Sequence, residues 1–261
     1  MPTHPSIHPT AIVSATASIS SDVQIGPYCV VGDASKLEAG VTLISHVVIG
    51  ERTHLGAGCV AHPFSAVGGP PQDLKYEGES TDLVVGANTV IREHATLHRG
   101  TRGGGGVTRV GSRCLIMAGA HVAHDCQVSD GVVMANGASL GGHVEVGEGA
   151  VLGAFAGVHQ FTRIGTLAMV AAGSMVSLDV APYCMVQGDR ARLLGPNLEG
   201  LRRAGWSDSS ILEVRRAVRQ WLSPGVCLPK AGTEQSHHLK LLSDFVSSSE
   251  RGVCRFRKPN L

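Results

Sequence analysis

The stretch CLIMAGAHVAHDCQV, Cys114 to Val128, places His121 and His124 among apolar residues, with Asp125 directly after the second histidine. Imidazole takes up and returns a proton near pH 7, so a histidine beside a carboxylate suits transfer of a group to a hydroxyl without a covalent enzyme intermediate. Clustered histidines also hold metal ions, the rival use of the same residue types. A base needs one imidazole with an open approach, whereas a metal needs three or four converging ligands. The spacing of His121 and His124, three apart, shows no such convergence.

A repeat must position these side chains. Aliphatic or small residues recur every six positions from Ile7, Val13, Ile19 and Ile25 to Val67, again from Val85 to Leu97, and then from Val110 to Val176. Four places after each stands a small or β-branched residue, as at Ala11, Val23, Cys29, Ser35 and Thr53. A helix repeats at 3.6 and a strand at 2, so a sustained six fits neither as a long element. It fits a parallel β-helix in which three hexads make one triangular turn and turns stack about 4.8 Å apart. Aliphatic side chains fill the prism and small ones its corners. A composition of 34 glycines and only 4% aromatic residues agrees with a core packed without large rings. Cys29, Cys59, Cys114 and Cys126 take the small position and read as buried filler; seven cysteines without a Cys-x-x-Cys pair argue against a disulfide framework.

Two segments interrupt the period. GGPPQDLKYEGEST lies in an eighteen-residue interval, and the region around RGTRGGGGVTR adds seven residues to a hexad. Both predict loops thrown out from a regular body, at about 68–84 and 99–109. With the second looped out, Leu97, Val122, Leu140, Val158 and Val176 share one wall. His98 then follows Leu97, His121 and His124 flank Val122, His143 comes three after Leu140, and His159 follows Val158. Five of the thirteen histidines fall on one strip.

The coil is expected over residues 1–190, with an α-helical domain over 191–261. NLEGLRRAG ends at a glycine cap, SDSSILEVRRAVRQWL sets Ile211, Val214, Val218 and Leu222 on one face before Pro224, and TEQSHHLKLLSDFV supplies a further helix. These helices are expected to cap the open end of the coil, and the basic tail RGVCRFRKPNL to be loosely ordered. Charge divides the same way: residues 1–189 hold 9 Lys/Arg against 15 Asp/Glu, a net of −6, and 190–261 hold 13 against 6, a net of +7. A basic terminal third suits either an acidic partner or a solvated helical surface. Neither a leader nor eighteen consecutive apolar residues occur, so the chain reads as cytoplasmic without membrane insertion, and scattered arginines without aromatic interleaving do not suggest nucleic acid binding.

In this order on this repeat, AHVAHDC, LGGHV, GVHQF, PPQDLKY, TLHRG and NLEGLRR closely resemble the UDP-N-acetylglucosamine 3-O-acyltransferase family, over nearly the whole chain. The resemblance implies a left-handed coil, a homotrimer with sites between subunits, and no cofactor beyond acyl carrier protein as acyl donor. It implies transfer of a 3-hydroxyacyl group to the sugar 3-hydroxyl of UDP-N-acetylglucosamine, the first step of lipid A synthesis. By the matching motifs, His124 is the general base, Asp125 its partner and the Gly142 N–H an oxyanion donor. Asp73, Lys75, His98, His121, His143, His159 and Gln160 match positions binding substrate or acyl chain. Asn197, Glu199 and Arg203 match contacts to the nucleotide end, with Ala204 where the family often has a second basic residue. Ala172, with Met169 nearby, matches the wall that sets acyl length; alanine there implies a medium chain of about ten to fourteen carbons, each buried methylene being worth about 0.8 kcal/mol. The basic helix carrying Arg215, Arg216 and Arg219 becomes a docking surface for the acidic carrier. A hexapeptide enzyme acylating a sugar amine, a zinc-dependent hydratase and a non-catalytic scaffold remain the alternatives.

Overall fold

The computed structural model describes residues 5–223 and 236–256. Every hexad yields a short strand, mostly two residues long, whose second residue is the aliphatic one. Away from the two excursions, the coil's strands pair in parallel mostly with the one eighteen residues on, as in Ser6↔Gln24 and Ile7↔Ile25. Among the described residues this builds three sheets of eleven, nine and eight strands, which begin at Ser6, Ile12 and Ser18. We call them the first, second and third sheets. The coil is a left-handed parallel β-helix with a small α-helical domain at its C-terminal end.

Inward residues such as Leu37, Leu43, Ile49, Leu97 and Leu140 are at most 1% exposed, each worth about 1.5–3 kcal/mol of burial. The corners close because the small residue is also buried, and a hydroxyl there finds a carbonyl: Ser35 Oγ donates to Gly50 O at 2.7 Å. From Tyr28 on, most corners turn on one residue with positive φ, recurring every six positions within each regular run, and many are not glycine: Tyr28, His46, Phe64, Asp125, His143 and Phe161 lie at φ 52–62°. The six described cysteines are buried, and burial pushes the Cys126 thiol up to about 12.

Outward positions differ between faces. The first sheet turns out Val60, Val90, Leu115, Val133, Val151 and Met169, all half-buried; the third turns out Lys36, His54, Arg109, Gln127, Glu145 and Arg163.

Both excursions leave from the corner between the second and third sheets. Leu97 pairs with Val122, twenty-five residues on, so seven are looped out. Val67 pairs with Leu97, thirty on, so twelve of the residues in the first interval are extra and six remain in the coil.

After the coil, Cys184–Gln187 continues the first sheet and Arg192–Pro196 returns antiparallel beside it. Three helices follow: α1 (Leu198–Arg203), α2 (Asp208–Trp221) and α3 (His237–Ser247). Ser207 and Ser236 cap α2 and α3 by accepting from Ser210 N and Leu239 N. Ile211, Val214, Val218 and Leu222 are buried, and with Leu201 and Leu242 they extend the coil's own core. Pro224, the first three residues of TEQSHHLKLLSDFV and the last five of the tail lie outside the described residues. The described part of that tail corrects the expectation of loose order: Asp179 N donates to Gly252 O at 2.9 Å, Cys254 N donates to Asp179 O at 2.8 Å, and Val253 and Cys254 are buried. The unpaired backbone of the last coil supplies those partners. Among the described residues no helix is long and apolar enough to cross a membrane.

Candidate active site

The second-to-third corner, where both loops leave, gathers the histidine strip. His124 and Asp125 follow the strand His121–Val122, and His143 stands one coil on, where His143 N donates to His124 O at 3.0 Å. Adjacent residues of an extended strand point apart, but Asp125 has φ 61°, which swings its carboxylate back toward its neighbour. His124 Nδ1 lies 2.8 Å from Asp125 Oδ2. A carboxylate bonded this way only accepts, so Nδ1 carries the proton and Nε2 presents a lone pair. Among the described residues nothing bonds His124 Nε2.

Asp125 is 4% exposed, and its buried charge is satisfied from the second loop. Thr101 N donates to Oδ1 and Thr101 Oγ1 to Oδ2, both at 2.7 Å. Thr108 Oγ1 accepts from Asp125 N at 2.7 Å, which fixes the unusual backbone. A Cβ on Gly104 would lie 2.0 Å from the Asp125 carboxyl carbon, so the loop passes over it only as glycine. His143 Nε2 stands 3.6 Å from Oδ2, beyond a hydrogen bond, and its ring stacks on Phe161 with centroids 4.4 Å apart. His124, Asp125 and His143 offer ligand atoms within 4.8 Å of one another, the one grouping among the described residues able to hold a metal ion.

Gly142 is buried against the base: a Cβ there would sit 2.6 Å from His124 Cε1 and 2.7 Å from Nε2. Its N–H has no acceptor among the described residues. One coil below, the His98 and His121 rings meet edge to face at 4.9 Å, and Thr96 Oγ1 lies 2.8 Å from His121 Nδ1. Burial, then repulsion from His121 and His124, brings His98 down to about 4; burial likewise lowers His121. His98 Nδ1 is buried without a partner among the described residues. His159 and Gln160 are exposed at the same corner, where Arg251 Nη1 lies 3.1 Å from His159 Nδ1.

Asp73 and Lys75 ride on the first loop, in a turn where Asp73 Oδ1 accepts from Lys75 N at 3.0 Å. The two loops are tied together, since Glu79 accepts from Arg102 N at 3.2 Å and the buried Arg99 pairs with Glu51 at 2.6 Å and reaches the Tyr76 hydroxyl at 3.4 Å. A cavity of about 800 Å³ opens on the Asp125 side of the corner, lined by Asp125, His143, Phe161, Arg163, Asp179 and Arg251 but not by His124. A more apolar one of about 660 Å³ lies under α3 on the third sheet, away from His124.

Five candidate residues are not brought to this corner. Asn197 caps α1 by accepting from Gly200 N at 3.1 Å and donates to Leu167 O at 2.9 Å, at the corner between the third and first sheets. Glu199 and Arg203 pair with each other on α1 at 3.3 Å. Met169 lies on the first sheet, and Ala172 is exposed at the first-to-second corner, across the second sheet from His124. Sequence reasoning missed Thr101, Thr108 and Phe161. Phe161 was findable, eighteen residues after His143; a loop threonine carries no such signal.

A left-handed parallel β-helix of hexads with a small C-terminal helical domain is the architecture of the hexapeptide-repeat acyltransferases. Residues 179–254 match the family model for UDP N-acetylglucosamine O-acyltransferase, domain 2. The chain is 46% identical to the acyl-(acyl-carrier-protein)–UDP-N-acetylglucosamine O-acyltransferase of Myxococcus xanthus and 42% to that of Anaeromyxobacter dehalogenans, over 95% of its own length and 99% of theirs. The solved UDP-N-acetylglucosamine O-acyltransferase of Moraxella catarrhalis superposes with a TM-score of 0.91 at 41% identity, covering 95% of this chain and 99% of the other. The chain belongs to the acyl-(acyl-carrier-protein)–UDP-N-acetylglucosamine O-acyltransferase family.

Proposed function

We propose that this protein transfers a 3-hydroxyacyl group from acyl carrier protein to the 3-hydroxyl of UDP-N-acetylglucosamine, the first step of lipid A synthesis. The observation that carries this is the His124–Asp125 pair, bonded at 2.8 Å, with His124 Nε2 left unbonded among the described residues. His124 Nε2 takes the proton of the sugar 3-hydroxyl as that oxygen attacks the thioester carbonyl. Asp125 stabilises the imidazolium that forms. The carbonyl oxygen gathers negative charge and accepts from the Gly142 N–H. Collapse of the tetrahedral intermediate breaks the carbon–sulfur bond, and His124 returns its proton to the carrier's thiol. The orphaned His98 Nδ1 is a buried polar atom that a bound substrate would satisfy.

Asn197, Glu199 and Arg203 stand at a different corner from His124, so they serve the nucleotide only from a neighbouring copy. The apolar outward stripe of the first sheet supports burial against that copy, in a homotrimer with sites between subunits. Arg215, Arg216 and Arg219 are exposed on α2 and suit the acidic carrier protein. Ala172 bounds the acyl pocket for a medium chain. The test is product analysis with a ladder of 3-hydroxyacyl carrier-protein donors and two acceptors, UDP-N-acetylglucosamine and its 3-amino analogue. Acyl found on the 3-oxygen with a donor of medium length is the expected result; exclusive N-acylation, or no product with any donor, contradicts it.

A further inference from the structure

The second loop carries a threonine whose two donors are both spent on one buried carboxylate. Thr101 N reaches Asp125 Oδ1 and Thr101 Oγ1 reaches Oδ2, each at 2.7 Å, and Oδ2 is the same oxygen that accepts from His124 Nδ1. The hydroxyl has one proton to give, so while it donates to Oδ2 its lone pairs remain free, and Gly104 N donates to them at 3.2 Å. The donors thus converge on the carboxylate: Gly104 N–H gives to Thr101 Oγ1, and Thr101 Oγ1 and His124 Nδ1 both give to Asp125 Oδ2. Thr101 also caps the 3-10 turn Arg102–Gly104 that passes over the carboxylate, and the first loop holds that turn through Glu79.

We propose, taking His124 as the base described above, that Thr101 is a positioning residue for the reaction: it fixes the rotamer of Asp125 so that Oδ2 faces His124 Nδ1. Without the hydroxyl, Oδ2 keeps its charge but loses the donor that sets its direction, and His143 Nε2, 3.6 Å away, competes for it. His124 then loses the bond that aims Nε2 at the acceptor hydroxyl. Thr101 touches no substrate in this scheme, so its removal acts on turnover rather than on binding.

The experiment measures kcat and both KM values for Thr101→Val, Thr101→Ser and Thr101→Ala, with Asp125→Ala, the double variant and His124→Ala alongside. Thr101→Val is expected to lower kcat by about tenfold with each KM within about twofold, because a charge-assisted hydrogen bond is lost while the backbone donor stays. Thr101→Ser restores most of the rate. In the Asp125→Ala background the same substitution changes nothing further, since the carboxylate it orients is gone. Equal loss from Thr101→Val with and without Asp125, failure of serine to rescue, or a wild-type rate in Thr101→Val overturns the proposal. Loss of the folded state in both Thr101→Val and Thr101→Ala also overturns it, by making the threonine structural. The wider scheme fails separately: a His124→Ala variant with near wild-type kcat removes the base itself, whatever Thr101 does.

Discussion

At the first-to-second corner the left-handed position carries Tyr28, His46, Phe64 and His94, whose rings stack at 4.9–5.3 Å and whose side chains are exposed. At the second-to-third corner the same position carries Asp125, His143 and Phe161. The φ values are alike, 52–62° and 60–62°, and so is the stacking interval. Only the second has a covered rung, at Asp125. A loop pinned by Thr101 dries the Asp125 carboxylate there and holds it against His124. Farther along that ladder Asp179 is buried in the same way, by Arg163 and the segment after α3. A coil thus supplies side chains at fixed height and direction; the covering segment decides whether a rung is surface or site.

Changes at the covered corner should act on rate and changes at the open corner on stability alone. Gly142→Ala is the sharpest case, because its Cβ would meet the His124 ring at 2.6–2.7 Å. A displacement of about 1 Å at the base costs roughly a hundredfold, so kcat should fall by that order while the thermal midpoint stays close to wild type. A variant of unchanged rate would separate Gly142 from the base.

The next effect is one of pH. His98 is held at about 4 against 6.5 in the open chain, by burial first and by His121 and His124 after it. Its neutral form favours the fold, so this contribution is complete above about pH 6.5 and is lost as pH falls toward about 4. Between pH 7.5 and 5, denaturant unfolding of the wild type should lose on the order of 2 kcal/mol more than that of His98→Gln. Parallel pH curves for the two proteins would contradict it.

The smallest effect belongs to the open corner. Phe64→Ala removes the middle of a ring stack worth roughly 1 kcal/mol per contact. The thermal midpoint should drop by a few degrees with kcat within about twofold, and a large loss of kcat would erase the distinction between the corners.

The period of six made the inward positions legible, and the seven-residue excess before Val110 gave the register now seen as Leu97↔Val122. The first excursion was harder to count. Its interval of eighteen is itself three hexads, so hydrophobic phase alone cannot tell a whole turn from one side plus twelve looped residues; the pairing Leu55↔Val85 shows the second. The histidine strip was visible in the spacing, but the bond from His124 to Asp125 was not, because it depends on a non-glycine residue adopting φ 61°. Thr101 and Thr108 were silent for a similar reason: their contacts exist only once the loop closes on the coil. Asn197, Glu199 and Arg203 were marked by resemblance alone, and spacing could not say that Asn197 is held at another corner.

The most direct measurement is acyl transfer from 3-hydroxyacyl carrier protein to UDP-N-acetylglucosamine by the purified, chelator-treated protein beside His124→Ala. Activity that survives the chelator and falls at least about a hundredfold in the variant is the result expected of a general base. Activity abolished by the chelator and restored by a divalent metal would instead make His124, Asp125 and His143 a metal centre, and a variant that retains the wild-type rate would remove His124 from the chemistry.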